Sequence, residues 1–243
     1  MRKLANDAGI PIVYVNREPI DVGALGAKGA FVGSNEVDSG TLETQEVCRI
    51  LKEAGKTEAN IYVIMGELSN QAAVQRTADI HDVMASGNCG VTLNIIDEQT
   101  ANWSRAESMG LMENWLTAFP GQIQGVIAQN DDEALGAVQA IKTKGIDIKT
   151  IPVVGVDGVA AAITAVKRGE MTTNFQDAQA QAQGALDVLL RQLVGPSYRP
   201  RSVVWSEYAQ AMPWGDGTAK SYEVPWTAIV PANADAFLQK VRK

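Results

Sequence analysis

Pro152-Val153-Val154-Gly155-Val156-Asp157-Gly158 is an apolar, β-branched run closed by a carboxylate and a glycine. It reads as a buried strand that delivers one hydrogen-bonding side chain at its carboxyl end. The same pattern recurs upstream. Gly125-Val126-Ile127-Ala128 ends in Gln129-Asn130-Asp131, and Ile12-Val13-Tyr14-Val15 ends in Asn16-Arg17. In open α/β sheets, ligands sit beyond the carboxyl ends of the parallel strands. Three strands therefore bring an amide, a guanidinium and a carboxylate to the same kind of place. That set suits a neutral, hydroxyl-rich small molecule and poorly suits a phosphate or a base.

Outward from these runs, strands and helices alternate with short breaks. Residues 1–8 predict the tail of a helix closed by Gly9. Strands are expected at 10–16, 29–33, 60–66, 91–96, 124–129, 151–156 and 172–175. Helices are expected at 36–54, stopped by Gly55, and at 70–86, 102–118, 132–144, 158–168 and 177–194. This order implies βαβ units and a parallel sheet, an α/β fold. In the helix at 102–118, Asn102 is the expected N-cap, and Leu111, Met112, Trp115 and Leu116 supply an apolar stripe. Residues 195–222 lose the periodicity. A strand at 223–230 and a short helix at 232–241 follow. Trp205, Trp214 and Trp226 read as a packing cluster.

Composition removes several classes of function. The 243 residues are 46% hydrophobic and 20% charged, with a net charge of −7. No basic stripe is available to neutralise phosphates, which argues against nucleic acid as a partner. No apolar run is long enough to span a bilayer, so no direct membrane insertion is expected. Met1-Arg2-Lys3-Leu4-Ala5-Asn6-Asp7 turns polar at once, so the chain as given starts without a signal peptide. The two cysteines, Cys48 and Cys89, form no CxxC pair, and the single histidine cannot build a His-rich metal site. They read as two buried or unpaired thiols, with a disulfide between them left open. His81 reads as a surface or half-buried residue.

Several segments in order resemble a known family. They are Pro11-Ile12-Val13-Tyr14-Val15-Asn16-Arg17-Glu18-Pro19, Val32-Gly33-Ser34-Asn35 with Ser39-Gly40, Met65-Gly66-Glu67 leading to Arg76-Thr77, and Gln99-Thr100-Ala101-Asn102-Trp103. Ala128-Gln129-Asn130-Asp131 with Ala134-Leu135-Gly136-Ala137, Val153 to Gly158, Phe175-Gln176-Asp177-Ala178 and Val224-Pro225-Trp226 complete the set. Together they resemble the periplasmic sugar-binding proteins of the ribose/galactose type, the solute receptors of ABC transporters. The resemblance implies a type 1 periplasmic-binding-protein fold, in which two α/β lobes are joined by three crossing strands and the sugar is clamped between them. It implies 1–56 with 177–222 as a partial N-terminal lobe, and 57–176 with 223–243 as the C-terminal lobe. It implies ligand contacts from Asn16 and Arg17 in the first lobe and from Arg76, Trp103, Asn130, Asp157 and Gln176 in the second lobe and hinge. Asn70 lies where galactose-type members also contact ligand.

The chemistry agrees with that set. Carboxylates and amides answer the donor side of a hydroxyl, and guanidinium and amide N–H groups answer its acceptor side. Trp103 offers a flat apolar face to a sugar ring. Each residue also has a plainer reading. Asp157-Gly158 is a plausible strand-to-helix turn with an N-cap. Asn130-Asp131 is a good helix start, with Asp131 capping rather than binding, and an arginine on a helix, such as Arg76, usually faces solvent.

The resemblance further implies a neutral monosaccharide or cyclitol as ligand (galactose, glucose or inositol-like), a membrane permease as partner, a periplasmic location and no cofactor. Family members carry a signal peptide and the first strands of the N-terminal lobe ahead of the segment matched here, so the chain is expected to be N-terminally truncated, with an open sheet edge. Ala54-Gly55-Lys56-Thr57-Glu58-Ala59-Asn60 lacks the oxygen density of the calcium loop some galactose-binding members carry, and no metal is expected. The alternative is the ligand-binding core of a LacI-type transcriptional regulator, which shares the fold; the helix-turn-helix and basic arm it predicts are not in this stretch of chain, where an N-terminal truncation would remove both, and the run at Trp103 and the extended C-terminal segment favour the transport receptor. An enzyme is not expected: there is no GxSxG elbow, no Walker-type loop and no GxGxxG motif.

Overall fold

Short β-branched runs between amphipathic helices fold here as two sheets. The computed structural model describes residues 2–241. Its elements begin with α1 (Arg2–Asp7), β1 (Ile12–Val15), β2 (Gly29–Gly33), α2 (Glu36–Glu53), β3 (Glu58–Met65) and α3 (Gln71–Ala85). Then come β4 (Thr92–Thr100), α4 (Arg105–Ala118), β5 (Gly125–Ala128), α5 (Asp131–Thr143), β6 (Val153–Asp157) and α6 (Ala160–Lys167). The series closes with β7 (Thr172–Phe175), α7 (Ala178–Val194), α8 (Val204–Glu207), β8 (Ser221–Glu223), β9 (Thr227–Ile229) and α9 (Ala234–Val241).

The chain divides into two compact units. The first runs through Asn35 and resumes over Gln176–Trp226; the second is Glu36–Phe175 and the stretch from Thr227 on. This departs from the expected boundary at residue 56. α2 belongs to the second unit because its face of Val47, Cys48 and Leu51 packs with Ile61, Val63, Ile127 and Val154 of β3, β5 and β6.

The second unit holds a six-stranded sheet of order β4-β3-β5-β6-β7-β9, parallel except for β9, which runs antiparallel to β7. β3 shows why both faces are covered. Ile61 and Val63 point to α2 and α3, while Tyr62 and Ile64 point to the core made with α4, α5, α6 and α9. Strands buried on both faces are continuous apolar runs rather than alternating ones. On the α2 side, Cys48 and Cys89 lie in one apolar cluster and are joined as a disulfide, with Cα atoms 5.2 Å apart. The reading as two thiols is thereby corrected. Their separation of 41 residues carries no pairing signal; only the approach of α2 to the turn before β4 creates it.

The first unit holds a three-stranded parallel sheet of order β1-β2-β8, with α7 packed on it. β1 lies at the edge. Its Ile12, Val13 and Tyr14 are only half-buried and Val15 is exposed, although all four are apolar. Tyr198, Trp205, Trp214 and Tyr222 pack together edge-on, tilted or stacked, and order the irregular stretch after α7. Asp187 anchors them by accepting from Tyr198 Oη (2.5 Å), Trp205 Nε1 (2.8 Å) and the main-chain N–H groups of Arg201 and Ser202. Burial works against its charge, but these donors outweigh it and hold the carboxyl below its ordinary pKa. Trp226 stands outside the cluster expected to include it; its indole donates to the Asn35 carbonyl.

The strand expected at 223–230 is two strands in different sheets. β8 pairs with β2 and β9 with β7, and the break falls at Val224-Pro225-Trp226, where Pro225 lacks the N–H a continuous ladder needs. Among the described residues no helix is long and apolar enough to cross a membrane.

Candidate functional site

Among the described residues, four non-glycine residues have a positive φ: Asn16 (66°), Asn102 (52°), Trp103 (64°) and Asp157 (118°). L-residues rarely adopt this region, and such outliers cluster at functional sites. All four stand at the carboxyl end of a strand. Asn16 follows β1, Asn102 and Trp103 follow β4, and Asp157 closes β6. This is where an α/β sheet presents its ligand site. Three of the four are expected ligand contacts.

The second unit carries most of the expected set. Arg76 is placed by α3, whose buried face runs Ala73, Arg76, Ile80, Val83 at helical spacing. Contrary to the surface reading, its guanidinium is buried. It donates through Nε to Glu36 Oε2 (2.9 Å), pairs with the same oxygen through Nη2 (2.7 Å) and donates through Nη1 to the Gln129 carbonyl. α2 crosses directly above it. A Cβ on Gly40 would stand 2.8 Å from the Arg76 carbonyl oxygen, so only glycine allows this approach. Gln129 ties the end of β5 to its neighbours, accepting from Gly66 N–H (3.0 Å) and donating to Thr77 Oγ1 (2.7 Å).

Trp103 follows the strand β4. Its N–H donates to Glu133 Oε1 (2.9 Å), and the Arg76 guanidinium carbon lies 5.9 Å from its ring centroid. The indole occupies the space above Gly66, where a Cβ would fall 2.1 Å from the ring. The expected N-cap Asn102 is corrected to Ser104, whose Oγ accepts from Glu107 N–H. The left-handed pair Asn102-Trp103 is what turns the chain before the helix. Gly66→Ala must therefore move either the Trp103 ring or the main chain. We expect it to destabilise the protein by about 1–3 kcal/mol, the usual range for overpacking, and to change the near-UV circular dichroism. An unchanged melt and spectrum would contradict the contact.

Asp157 is not a cap. The N-cap of α6 is Val159, with no side-chain cap bond. Asp131 accepts from the N–H groups of Gly158 (2.7 Å) and Val159 (2.8 Å) and from Thr173 Oγ1 (2.5 Å), so it is the strut beneath the Asp157 turn rather than a cap of its own helix. Burial pushes the Asp157 carboxyl up to about 6, against the pull of Arg76. Asn130 caps α5 through Oδ1, which accepts from Glu133 N–H (2.8 Å), and Asn70 caps α3 by accepting from Ala72 N–H (3.1 Å). In both, the amide oxygen is committed to a helix end.

Three buried carboxyl groups were not among the expected site residues. Glu36 pairs with Arg76, Glu133 holds Trp103, and Glu43 is wholly buried with neither oxygen hydrogen-bonded. Burial pushes the Glu43 carboxyl well up, against Arg76, and the Glu133 carboxyl up to about 8. Glu133 is thus mainly a neutral acid at pH 7, and the site is less negative than its formal count. A signal for two of them exists in the spacing. Glu36, Gly40, Glu43, Val47 and Leu51 form one helical stripe, so the two acids share the apolar face.

The first unit carries Asn16, Arg17 and Gln176. Asn16 Nδ2 donates to Gln176 Oε1 (3.0 Å) and lies 3.4 Å from Gln181 Oε1, and Gln181 Nε2 donates to Ser34 Oγ. The Gln176 amide nitrogen is buried without a partner. Arg17 is exposed. His81 is exposed and bonded to Glu98. Among the described residues no group of three or more His, Cys, Asp or Glu side chains could hold a metal.

The sequence pattern of the periplasmic binding protein domain matches residues 1–197. The chain belongs to the periplasmic binding protein family. This binding-protein chain is 50% identical over 192 residues to a candidate rhizopine-binding protein of Rhizobium meliloti, covering 79% of this chain and 60% of that one. It is 33% identical over 186 residues to a xylitol-binding protein of Mycolicibacterium smegmatis, covering 76% and 49%. Among solved structures, an ABC transporter solute-binding protein of Bacillus halodurans with bound myo-inositol superposes with a TM-score of 0.79 at 30% identity, over 98% of this chain and 72% of that one. The fold is the expected type 1 two-lobe α/β fold, and the chain spans 60% or less of the length of these two curated relatives. They are solute-binding proteins, not enzymes.

Proposed function

We propose that this chain is the ligand-binding part of a solute receptor of an ABC sugar transporter, with no catalytic activity of its own. We further propose that its ligand is a neutral cyclitol or monosaccharide, with an inositol-like ring ahead of galactose, glucose or ribose. The observation that carries the reading is the Asp157 carboxylate, held at φ 118° at the end of β6 within the electrostatic reach of the Arg76 guanidinium. A charged acceptor beside a charged donor answers the vicinal hydroxyls of a polyol, each of which both donates and accepts. In the second unit Trp103 adds the apolar plate and Asn130 an amide; Asn16 and Gln176 are proposed as contacts that the first unit carries. The order of ligands leans on the rhizopine-binding relative and on the neighbour that holds myo-inositol. In this reading the partner is a membrane permease and the location is the periplasm. The Cys48–Cys89 disulfide fits an oxidising compartment.

The test is thermal melting of the purified chain with millimolar myo-inositol, galactose, glucose, ribose and xylose. Selective binding to the native state adds about 2.7 kcal/mol at a hundred times Kd, about 5–10 °C for a chain of this size. We expect myo-inositol to give the largest rise. A melt that none of the five moves would overturn the proposal.

A further inference from the structure

We infer that Glu133 is a positioning residue: through Oε1 it holds the Trp103 main chain in the left-handed turn that lays the indole over Gly66 and beside Arg76. The inference rests on the reading of Trp103 as the plate of a polyol site. Two consecutive non-glycine residues, Asn102 and Trp103, stand at φ 52° and 64°. Such a pair persists only where its surroundings over-determine it. The Trp103 N–H is satisfied by one acceptor, Glu133 Oε1 at 2.9 Å. Glu133 is itself locked. Its N–H donates to Asn130 Oδ1 (2.8 Å), its carbonyl accepts from Ser108 Oγ (2.6 Å), and its side chain is fully buried.

The second carboxyl oxygen, Oε2, is buried and has no partner, so it answers no other group of the fold. A glutamate at a buried position with one orphan oxygen is a costly way to fill space. The one side-chain bond it makes here is to the Trp103 N–H, and that bond needs only an acceptor, not a charge. The charged groups that face it are Arg76 from α3, Asp157 from β6 and Glu43 from α2. Burial dominates among these influences and keeps the acid mainly protonated at neutral pH.

Three variants separate positioning from mere packing. Glu133→Gln keeps the acceptor, Glu133→Met fills the volume without one, and Glu133→Ala removes both. The first readout is the Trp103 contribution to the near-UV circular dichroism, isolated by subtracting the spectrum of the matching Trp103→Phe variant from each. We expect Glu133→Gln to keep that contribution and Glu133→Met to lose it while the far-UV spectrum stays that of the parent. The second readout is titration with myo-inositol. Affinity should fall about tenfold in Glu133→Met, the size of one buried hydrogen bond, and stay within about threefold in Glu133→Gln.

A third readout is pH. The folded Glu133 carboxyl is raised above its unfolded value, so its contribution to stability is full below about 4.5 and is lost as pH rises to about 8. Glu133→Gln should therefore reduce the fall in melting temperature across that window, leaving the share that Glu43, Asp131 and Asp157, raised in the same direction, contribute. A Glu133→Met protein that keeps both the Trp103 signal and the parent affinity would overturn the inference. If the parent binds no polyol, the reading of the site fails, and the Trp103 difference spectrum still decides whether Glu133 positions the ring. Should Glu133→Ala fail to fold, the Met and Gln pair carries the test.

Discussion

Replacing Arg76 by methionine is expected to cost about 3–5 kcal/mol of stability, the range for breaking a buried ion pair from one side, and, on the proposed reading of the site, to abolish polyol binding. Both effects have the same origin. Among the described residues the guanidinium is the one cation inside a group of buried carboxyl groups, and it spans from Glu36 to the Gln129 carbonyl. Without it Glu36 is a buried charge with only Ser39 left to it, and the end of β5 loses a donor. Gly40 seats α2 against the Arg76 main chain too closely for the seam to open and admit water. Lysine should rescue little, because a compact ammonium cannot reach both acceptors in the geometry of the fork.

The double variant Glu36→Gln, Arg76→Met separates the two effects. Removing both charges should restore much of the urea stability, since an apolar or neutral replacement of a whole pair is often near neutral. On the proposed reading of the site it should not restore binding, because the guanidinium is itself the ligand contact. Urea unfolding and calorimetric titration of the three proteins check this. A single variant as stable as the parent would contradict the buried pair.

Loss of the disulfide is the second large effect. Closing a loop with a sequence separation of 41 removes chain entropy worth about 4 kcal/mol. Native bridges deliver about 2–4 kcal/mol in practice. We expect Cys48→Ala, Cys89→Ala to lose about that much and the parent to lose a similar amount under reductant. The bond ties α2 to the turn before β4, so the loss falls on the second unit. Denaturant curves with and without dithiothreitol are the measurement, and coincident curves would rule the bond out as a stabilising link.

Much of this architecture was legible in the chain. The continuous apolar runs at 125–128 and 153–157, each ending in a polar residue, forecast both the parallel sheet and the edge on which Asp157 stands. What failed to show was long-range. Nothing local marks Cys48 and Cys89 as neighbours, and nothing local assigns α2 to the second unit. Periodicity alone runs a strand through 223–230, whereas Pro225 divides it. The N-cap error had a readable remedy: Ser104-Arg105-Ala106-Glu107 has the form of a capping box, and Asn102 lies two residues too early. Glu36, Glu43 and Glu133 escaped because acids on helices are read as solvated. Burial of a charge is decided by what packs above it, and that is a tertiary fact.

The pairing of β2 with β8 also fixes an order of events. Every strand from β3 to β6 finds its partners inside the stretch 58–175, and β7 finds one of its two there, whereas the first unit is stitched from segments as far apart as Asn35 and Trp226, 191 residues along the chain. Loop closure over such a span is slow, because its entropy is lost before any contact repays it. During synthesis the parallel core of the larger unit therefore assembles while β1 and β2 still wait for β8 to emerge. For that interval the edge of β2 that β8 will cover stands bare, and the chain is more vulnerable to misassembly then than after folding is complete.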